Sequence, residues 1–91
     1  MQNQITNPLD VECYYEHIGQ NDLLAYTEED QNFYLQKGEI LYFLSRSQEC
    51  FEPTFNQRYI EYQILSPTYG RIHLRLTHMG HCLAKDLFER L

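Results

Sequence analysis

The sequence predicts a small α+β domain, in which an antiparallel sheet carries one helix near each end of the chain. Residues 58–65 and 71–77 alternate apolar and polar side chains, which is the period of a half-buried strand. Apolar residues recur at helical spacing over about 8–18 and about 78–91. A length of 91 residues suits one domain, so we expect residues 1–91 to fold as a single unit.

The N-terminal helix is predicted from its start signal and its spacing. Residues 7–10 suit a helix start, because Asn7 is a good N-cap and a proline and an acid follow in the first turn. The apolar positions that follow at helical spacing are Val11, Tyr14, Tyr15 and Ile18. A strand would place Glu16 and Ile18 on the same side, so the pattern favours a helix over about 8–18.

The segment 27–46 has two interpretations. One is a helix capped by Thr27, with Phe33, Ile40, Leu41 and Leu44 on its buried side. The other is a hairpin, with strands on both sides of a turn at Gly38. A glycine in the middle of a helix costs about 1 kcal/mol, and the aromatic residues of this segment favour strands. The hairpin is therefore favoured, and the helix remains the alternative.

The hairpin over 58–77 has a pattern that fixes its register. The breaker at 66–70 reads Ser-Pro-Thr-Tyr-Gly, with proline early and glycine last, as a hairpin loop requires. If Leu65 faces Arg71, the pairs are Ile64 with Ile72, Tyr62 with Leu74, Ile60 with Leu76, Glu61 with Arg75 and Gln63 with His73. A slip of one residue would set apolar against polar side chains throughout.

The C-terminal helix is predicted over about 78–91. Thr77 suits its N-cap. The apolar stripe that follows consists of Leu83, Ala84, Leu87, Phe88 and Leu91. The charged residues Lys85, Asp86, Glu89 and Arg90 fall on the opposite face. Such an amphipathic pattern is typical of a helix that docks on a sheet.

Charge is divided unevenly along the chain. Residues 1–57 hold ten acids against two bases, a balance of −8, whereas residues 58–91 hold five bases against three acids, a balance of +2. The net charge of −6 repels nucleic acid at long range. No apolar run approaches the roughly 18 residues of a membrane span. Three cysteines at no recurring spacing suit reduced thiols, so a cytoplasmic protein without membrane contact or cofactor is expected.

Catalytic and metal-binding residues are sparse. The soft metal ligands that fall near one another are His73, His78, His81 and Cys82. Structural zinc sites take four ligands, commonly in paired spacings, and this sequence has no such pair, so no metal site is predicted. Whether His78, His81 and Cys82 bind a metal stays open. Cys82 lacks the orienting group and the oxyanion loop of a nucleophile, so an enzyme is not expected.

The candidate binding surface lies on the hairpin. Arg71, His73 and Arg75 point off one face of its second strand, and Glu61 lies opposite Arg75. One interpretation is a set of cross-strand pairs, each worth tenths of a kcal/mol. The other is a recognition surface, which the eight tyrosines favour, because tyrosine offers large contact area at low entropic cost.

The acidic run of Glu28, Glu29 and Asp30 is the second candidate surface. It lacks the alternating oxygen ligands and internal glycine of a calcium loop, so a charged rim is predicted. In one version of this hypothesis, the acidic half of the chain imitates nucleic acid and occupies a basic groove on its partner.

Residues 70–83, GRIHLRLTHMGHCL, include the pattern L-T-x-x-G-x-x-L. This pattern resembles the wing strand and following helix of MarR-type winged-helix repressors. The resemblance implies a DNA-binding transcriptional regulator that uses the hairpin 58–77 as its wing. Such repressors need a helix-turn-helix before the wing, and residues 47–57, with Pro53 and few apolar side chains, are a poor recognition helix.

The function predicted from these patterns is that of a small, non-enzymatic regulatory, adaptor or inhibitor protein. Its expected partner is another protein, bound through the hairpin and the acidic surface, with homodimerisation as a further expectation. The winged-helix DNA-binding regulator is the alternative.

Overall fold

The computed structural model describes residues 5, 8–20 and 22–91. It is mostly antiparallel β-sheet, with 54% of the described residues in strands and 11% in helices, curled into a half-barrel with two short helices near the C-terminus. The strands are β1 (Cys13–His17), β2 (Leu23–Thr27), β3 (Asn32–Leu35), β4 (Ile40–Arg46), β5 (Cys50–Glu52), β6 (Gln57–Ser66), β7 (Gly70–Thr77) and β8 (Phe88–Arg90). The helices are α1 (His78–Cys82) and α2 (Ala84–Leu87).

One sheet contains all of these strands. Their order is β3-β2-β7-β6-β4-β1-β8, with β5 paired to β6 beside this path. Its inner face forms the core, where Tyr62, Phe43, Leu35, Leu41, Ile64, Ile72 and Leu74 are almost fully buried. Full burial of one such side chain contributes about 1.5–3 kcal/mol. None of the helices in the described ranges has the length and apolarity to cross a membrane.

The predicted α+β class is wrong, and so is the helix over about 8–18. β1 occupies that segment, with Cys13, Tyr15 and His17 facing the core. It gains backbone partners on both sides, because it pairs with β4 and β8. Glu12 has a φ of 60°, which ends any right-handed helix before the strand. Asn7, the predicted N-cap, lies outside the described residues.

The segment 27–46 contains no helix, so the helical alternative is wrong. Strands form on both sides of Gly38, as the hairpin interpretation predicts, and Gly38 adopts a φ of 97° in the turn. The two strands do not pair with each other, however, so the favoured hairpin is wrong in its pairing. β3 pairs with β2, whereas β4 pairs with β1 and β6. The turn instead reaches β1, where the Gly38 N–H donates to the carbonyl of His17 at 2.7 Å.

The hairpin of β6 and β7 is confirmed in its predicted register. Every predicted pair is present, including Glu61 with Arg75 and Ile64 with Ile72. Ser66 also pairs with Gly70, so the loop is shorter than predicted. Gly70 has a φ of 76° where the loop rejoins β7, a left-handed conformation that glycine adopts at little steric cost.

The predicted helix over about 78–91 is wrong in its second half. Thr77 is its N-cap as predicted, because the Thr77 hydroxyl accepts the N–H of Gly80 at 3.3 Å. After α1 and α2 the chain returns to strand as β8, which pairs with β1. Phe88 drives this change, because its ring packs against Tyr15 and Phe43, at centroid distances of 6.1 and 5.4 Å.

Two histidines are buried in this core, and they differ in their partners. His81 is held on both ring nitrogens: Nδ1 lies 3.1 Å from the carbonyl of Thr77, and Nε2 lies 2.7 Å from the Tyr62 hydroxyl. A carbonyl only accepts, so Nδ1 carries the proton and Nε2 accepts from Tyr62. The Tyr62 oxygen accepts the N–H of Leu9 at 3.0 Å. His17 is 0% exposed, and neither ring nitrogen has a hydrogen-bond partner among the residues that the structure describes.

We therefore expect leucine to have different effects on stability at these two positions. His81→Leu leaves the Tyr62 hydroxyl without an acceptor and should lower the free energy of unfolding by about 1–3 kcal/mol. His17→Leu removes a buried polar ring without a partner in the described part of the chain, so stability should be unchanged or higher. Urea unfolding of both variants measures this. Equal destabilisation by the two would contradict the difference in their bonding.

The burial of His81 also predicts a pH dependence of stability. Burial lowers the pKa of His81 below its ordinary value of 6.5. Between the native pKa and 6.5 the unfolded chain binds more protons at this site, so the free energy of unfolding falls as pH is lowered through that window.

The measurement is urea unfolding at about pH 7.5 and about pH 5.5. His81→Gln should reduce the loss of stability between these two pH values. His78→Gln is the control, because His78 is exposed on the same helix, and should preserve the loss. If His81→Gln loses as much stability between these two pH values as the wild type does, the attribution of this pH dependence to His81 is contradicted.

Candidate protein-binding face

The predicted binding residues of the hairpin lie on the outer face of the sheet, which is the side away from the core. Arg71, His73 and Arg75 project from β7 on this face, and Glu61 projects from β6. Glu28, just after β2, reaches the same place through contacts with Arg71 and His73. The structure thus brings together five of the seven predicted residues.

Glu61 is the centre of these contacts. Its Oε1 accepts the Tyr26 hydroxyl at 2.7 Å and Nε of Arg75 at 2.9 Å, and its Oε2 lies 3.1 Å from Nδ1 of His73. Partial burial favours protonation of Glu61, but the hydrogen bonds from Tyr26 and Arg75 outweigh it, and the pKa of Glu61 is lowered. Burial and the bond to Glu61 raise the pKa of Tyr26 to about 12.

Two tyrosine rings hold the guanidinium of Arg75. Its Cζ lies 5.2 Å from the ring centroid of Tyr26 and 5.1 Å from that of Tyr59, both within cation–π range. Tyr26 also stacks on His73, with centroids 5.3 Å apart. Tyr26 and Tyr59 were not predicted as site residues. Only the pairing of β2 with β7 brings Tyr26 to the hairpin. Tyr59 lies two positions before Glu61 on β6, so strand alternation was a signal for its place on the same face.

The predicted acidic run is divided between two environments. Glu28 lies 3.3 Å from Nε2 of His73 and 3.8 Å from Nε of Arg71. Glu29 and Asp30 are exposed in the turn between β2 and β3, and neither forms an ion pair with a described residue. We call the connected set Tyr26, Glu28, Glu61, Arg71, His73 and Arg75 the polar network. Its charges largely compensate one another, as the cross-strand interpretation predicts.

A row of apolar side chains continues the outer face beyond the polar network. Arg71 of the polar network pairs with Leu65, Leu65 with Tyr42, and Tyr42 with Tyr14, so the apolar row crosses β6, β4 and β1. At the end of β8, the N–H of Leu91 donates to the carbonyl of Tyr14 at 3.0 Å. We call Tyr14, Ile40, Tyr42, Leu65 and Leu91 the apolar patch.

The apolar patch is open to solvent. Tyr14 is 53% exposed, Ile40 47%, Leu65 40% and Leu91 61%. The rings of Tyr14 and Tyr42 pack edge to face, with centroids 4.9 Å apart. A shallow groove of about 430 Å³ runs over Tyr14, Ile40, Tyr42 and Leu65 to the loop at Pro67. Contiguous apolar surface of this kind is typical of an interaction site.

None of the patch residues was predicted as a site residue, although the sequence contains a signal for them. The run Ile40-Leu-Tyr-Phe-Leu44 is apolar without alternation, and Ile64 is followed by another apolar residue, Leu65. In a strand, successive side chains point to opposite faces, so such runs place apolar groups on both faces. The usual interpretation is burial on both faces, and only the strand order shows that one face is uncovered.

Two carboxylates adjoin the apolar patch. Glu16 on β1 pairs with Ile40 on one side and with Glu89 of β8 on the other. Both project on the outer face, because their neighbours His17 and Phe88 are buried in the core. Like charges directly opposite each other destabilise a sheet.

A second feature is the cleft beside α1, of about 500 Å³, lined by Tyr15, His78, His81, Cys82, Lys85 and Arg90, among others. The Cys82 sulfur lies 3.7 Å from Nε2 of His78. His81 is held by Tyr62 and Thr77. His73 lies in the polar network, away from the other soft ligands. Within the described ranges, no group of three His, Cys, Asp or Glu side chains could hold a metal ion.

The described residues contain the hairpin that the winged-helix hypothesis uses as its wing, but they contain no recognition helix before it. α1 and α2 both follow the hairpin, and residues 47–57 contain β5 and a turn. The L-T-x-x-G-x-x-L pattern also has a local explanation. Thr77 caps α1, and a Cβ on Gly80 would lie 3.3 Å from the Leu76 side chain, so the close contact with Leu76 favours glycine.

The outer face and the cleft are thus the candidate functional sites among the described residues. No family model matches the sequence, and no curated protein or solved structure is significantly similar to it. Of the two features, the outer face carries the exposed aromatic surface, whereas His81 of the cleft is engaged within the fold.

The polar network predicts that Glu61 matters more for stability than Glu28. Glu61→Ala removes the shared acceptor of Tyr26 and Arg75 and should lower the free energy of unfolding by about 1–2 kcal/mol. Glu28→Ala removes half-exposed ion pairs and should change it by less than about 0.5 kcal/mol. Urea unfolding compares the two variants. Similar losses would contradict the central position of Glu61.

Proposed function

We propose that this protein is a small, non-enzymatic regulatory, adaptor or inhibitor protein that binds another protein through the outer face of its sheet. The observation that carries this proposal is the apolar patch. It presents two tyrosines and three aliphatic side chains side by side, in a chain whose net charge is −6. Exposed, contiguous aromatic surface is where binding energy concentrates in protein interfaces.

The setting of the patch supports a binding role. Four of its side chains stand on paired strands instead of loops, so little conformational entropy is lost when a partner covers them; these are Tyr14, Ile40, Tyr42 and Leu65. The edge-to-face packing of Tyr14 and Tyr42 fixes both rings against each other. A rigid aromatic centre of this kind is what an interface hot spot requires.

The polar network supplies one rim of the proposed interface. Arg71 pairs directly with Leu65, so the apolar patch passes into charged side chains without a gap. Charged rims contribute little affinity but determine orientation and association rate. The exposed carboxylates of Glu29 and Asp30 add long-range attraction for a basic partner.

The experiment is capture from a nuclease-treated extract of the source organism with tagged wild type and two variants. The double variant Tyr14→Arg/Leu65→Arg places charges in the centre of the apolar patch. Phe55→Arg is the control, because Phe55 is a 71% exposed aromatic in a turn outside the patch. We expect one protein to be captured by wild type and by Phe55→Arg, and to be lost from the double variant.

Two outcomes would contradict the proposal. One is capture of the same proteins by the patch variant, provided that circular dichroism shows its fold is intact. The other is capture that depends on intact nucleic acid, which would favour the DNA-binding alternative.

A further inference from the structure

We propose that the partner segment covering the apolar patch is basic, with lysine or arginine side chains beside apolar anchors. This inference rests on the proposed function and specifies the chemistry of its partner. It comes from the carboxylates of Glu16 and Glu89, which project beside the patch from the paired strands β1 and β8.

The two carboxylates are left without compensation by the fold. Neither Glu16 nor Glu89 is within ion-pairing distance of a basic side chain in the part of the chain that the structure describes. Arg90 follows Glu89 directly, but it lines the cleft beside α1 and its Nη1 donates to Asp10 at 2.6 Å. The nearest cation along the chain is therefore used elsewhere.

Other carboxylates of the outer face have basic side chains as partners. Glu61 is bonded to Arg75, and Glu28 lies beside Arg71 and His73. The sheet thus compensates its acids within the polar network and leaves a like-charge pair at the other end of the same face. A like-charge pair opposes the pairing of β1 with β8 in the free protein.

A basic partner side chain resolves this repulsion. An ammonium or guanidinium group placed between Glu16 and Glu89 would be attracted by both carboxylates. Glu16 pairs with Ile40, which lines the apolar groove, so one short segment could occupy both sites. A cation beside the ring of Tyr14 would also gain cation–π attraction. Charge complementarity and apolar contact therefore select the same class of partner.

A second copy of this chain does not fit the surface as well. A symmetric dimer through the patch would bring four carboxylates of Glu16 and Glu89 together, in a protein of net charge −6. Like-charge juxtaposition across an interface disfavours such a pairing. The same charges disfavour nucleic acid on this face.

The test uses three fluorescein-labelled peptides in a Gly-Ser background. The first contains lysine and phenylalanine, the second has glutamate for lysine, and the third has serine for phenylalanine. Fluorescence anisotropy measures binding to the full chain at about 50 mM and about 300 mM salt. We expect binding of the Lys/Phe peptide alone, weakened by the higher salt concentration.

Two matched charge reversals locate the acidic contribution. Glu89→Lys places a positive charge opposite Glu16, whereas Glu29→Lys makes the same change in net charge in the turn between β2 and β3. Glu89→Lys should weaken peptide binding roughly fivefold and raise the urea midpoint, because repulsion becomes attraction. Glu29→Lys should leave the midpoint unchanged and weaken binding by less.

The outcomes separate this inference from the proposed function. The proposal of a basic partner would be overturned if the glutamate peptide bound as well as the Lys/Phe peptide, or if the Lys/Phe peptide did not bind. Equal effects of the two charge reversals on binding would also overturn it. If Tyr14→Arg/Leu65→Arg also leaves Lys/Phe binding unchanged, the patch itself is not the binding site, and the proposed function fails. A wild-type dimer in gel filtration that the double variant abolishes would identify a second copy as the occupant and overturn the inference.

Discussion

The register of β6 on β7 is the constraint on which the rest of the structure depends. Because side chains alternate between faces, one pairing decides both what is buried and what is displayed. It turns Tyr62 inward to bond His81 and Glu61 outward to bond Arg75. It also sets Leu65 beside Arg71, where the apolar patch meets the polar network. A shift of one residue would remove the core and the candidate interface together.

That register could be predicted because its determinants are local: two alternating runs and one loop. β1 shows the opposite case. Tyr14 and Tyr15 are adjacent and chemically alike, yet Tyr14 is 53% exposed and Tyr15 is 6% exposed. The helical pattern required both on one apolar side, and nothing in the sequence separates them. Only pairing with β4 and β8 decides which ring faces the core. The wrong helix over about 8–18 and the missed apolar patch therefore have one cause, which is that the aromatic ring of Tyr14 is not buried.

The C-terminal segment was mispredicted for a related reason. Its amphipathic stripe suggested one docked helix, but Leu83 and Leu91 are exposed, and only Ala84 and Phe88 are buried. Without β8, β1 would be an edge strand with unpaired backbone groups. Covering that edge and burying Phe88 outweigh the local preference for helix. The periodicity of the segment cannot show this stabilisation, because it depends on pairing with a strand some seventy residues earlier.

The same return of the chain explains where the uncompensated charge arises. Bringing β8 beside β1 satisfies backbone hydrogen bonds and buries Phe88, but it also sets Glu89 opposite Glu16. A lysine at either position would make a favourable cross-strand pair without disturbing the core, since both side chains face outward. The rule that opposite charges face each other across paired strands is thus broken on a solvent-facing surface, where a single substitution would restore it. Such violations are expected at functional sites, and this one adjoins the exposed aromatic surface on the same face.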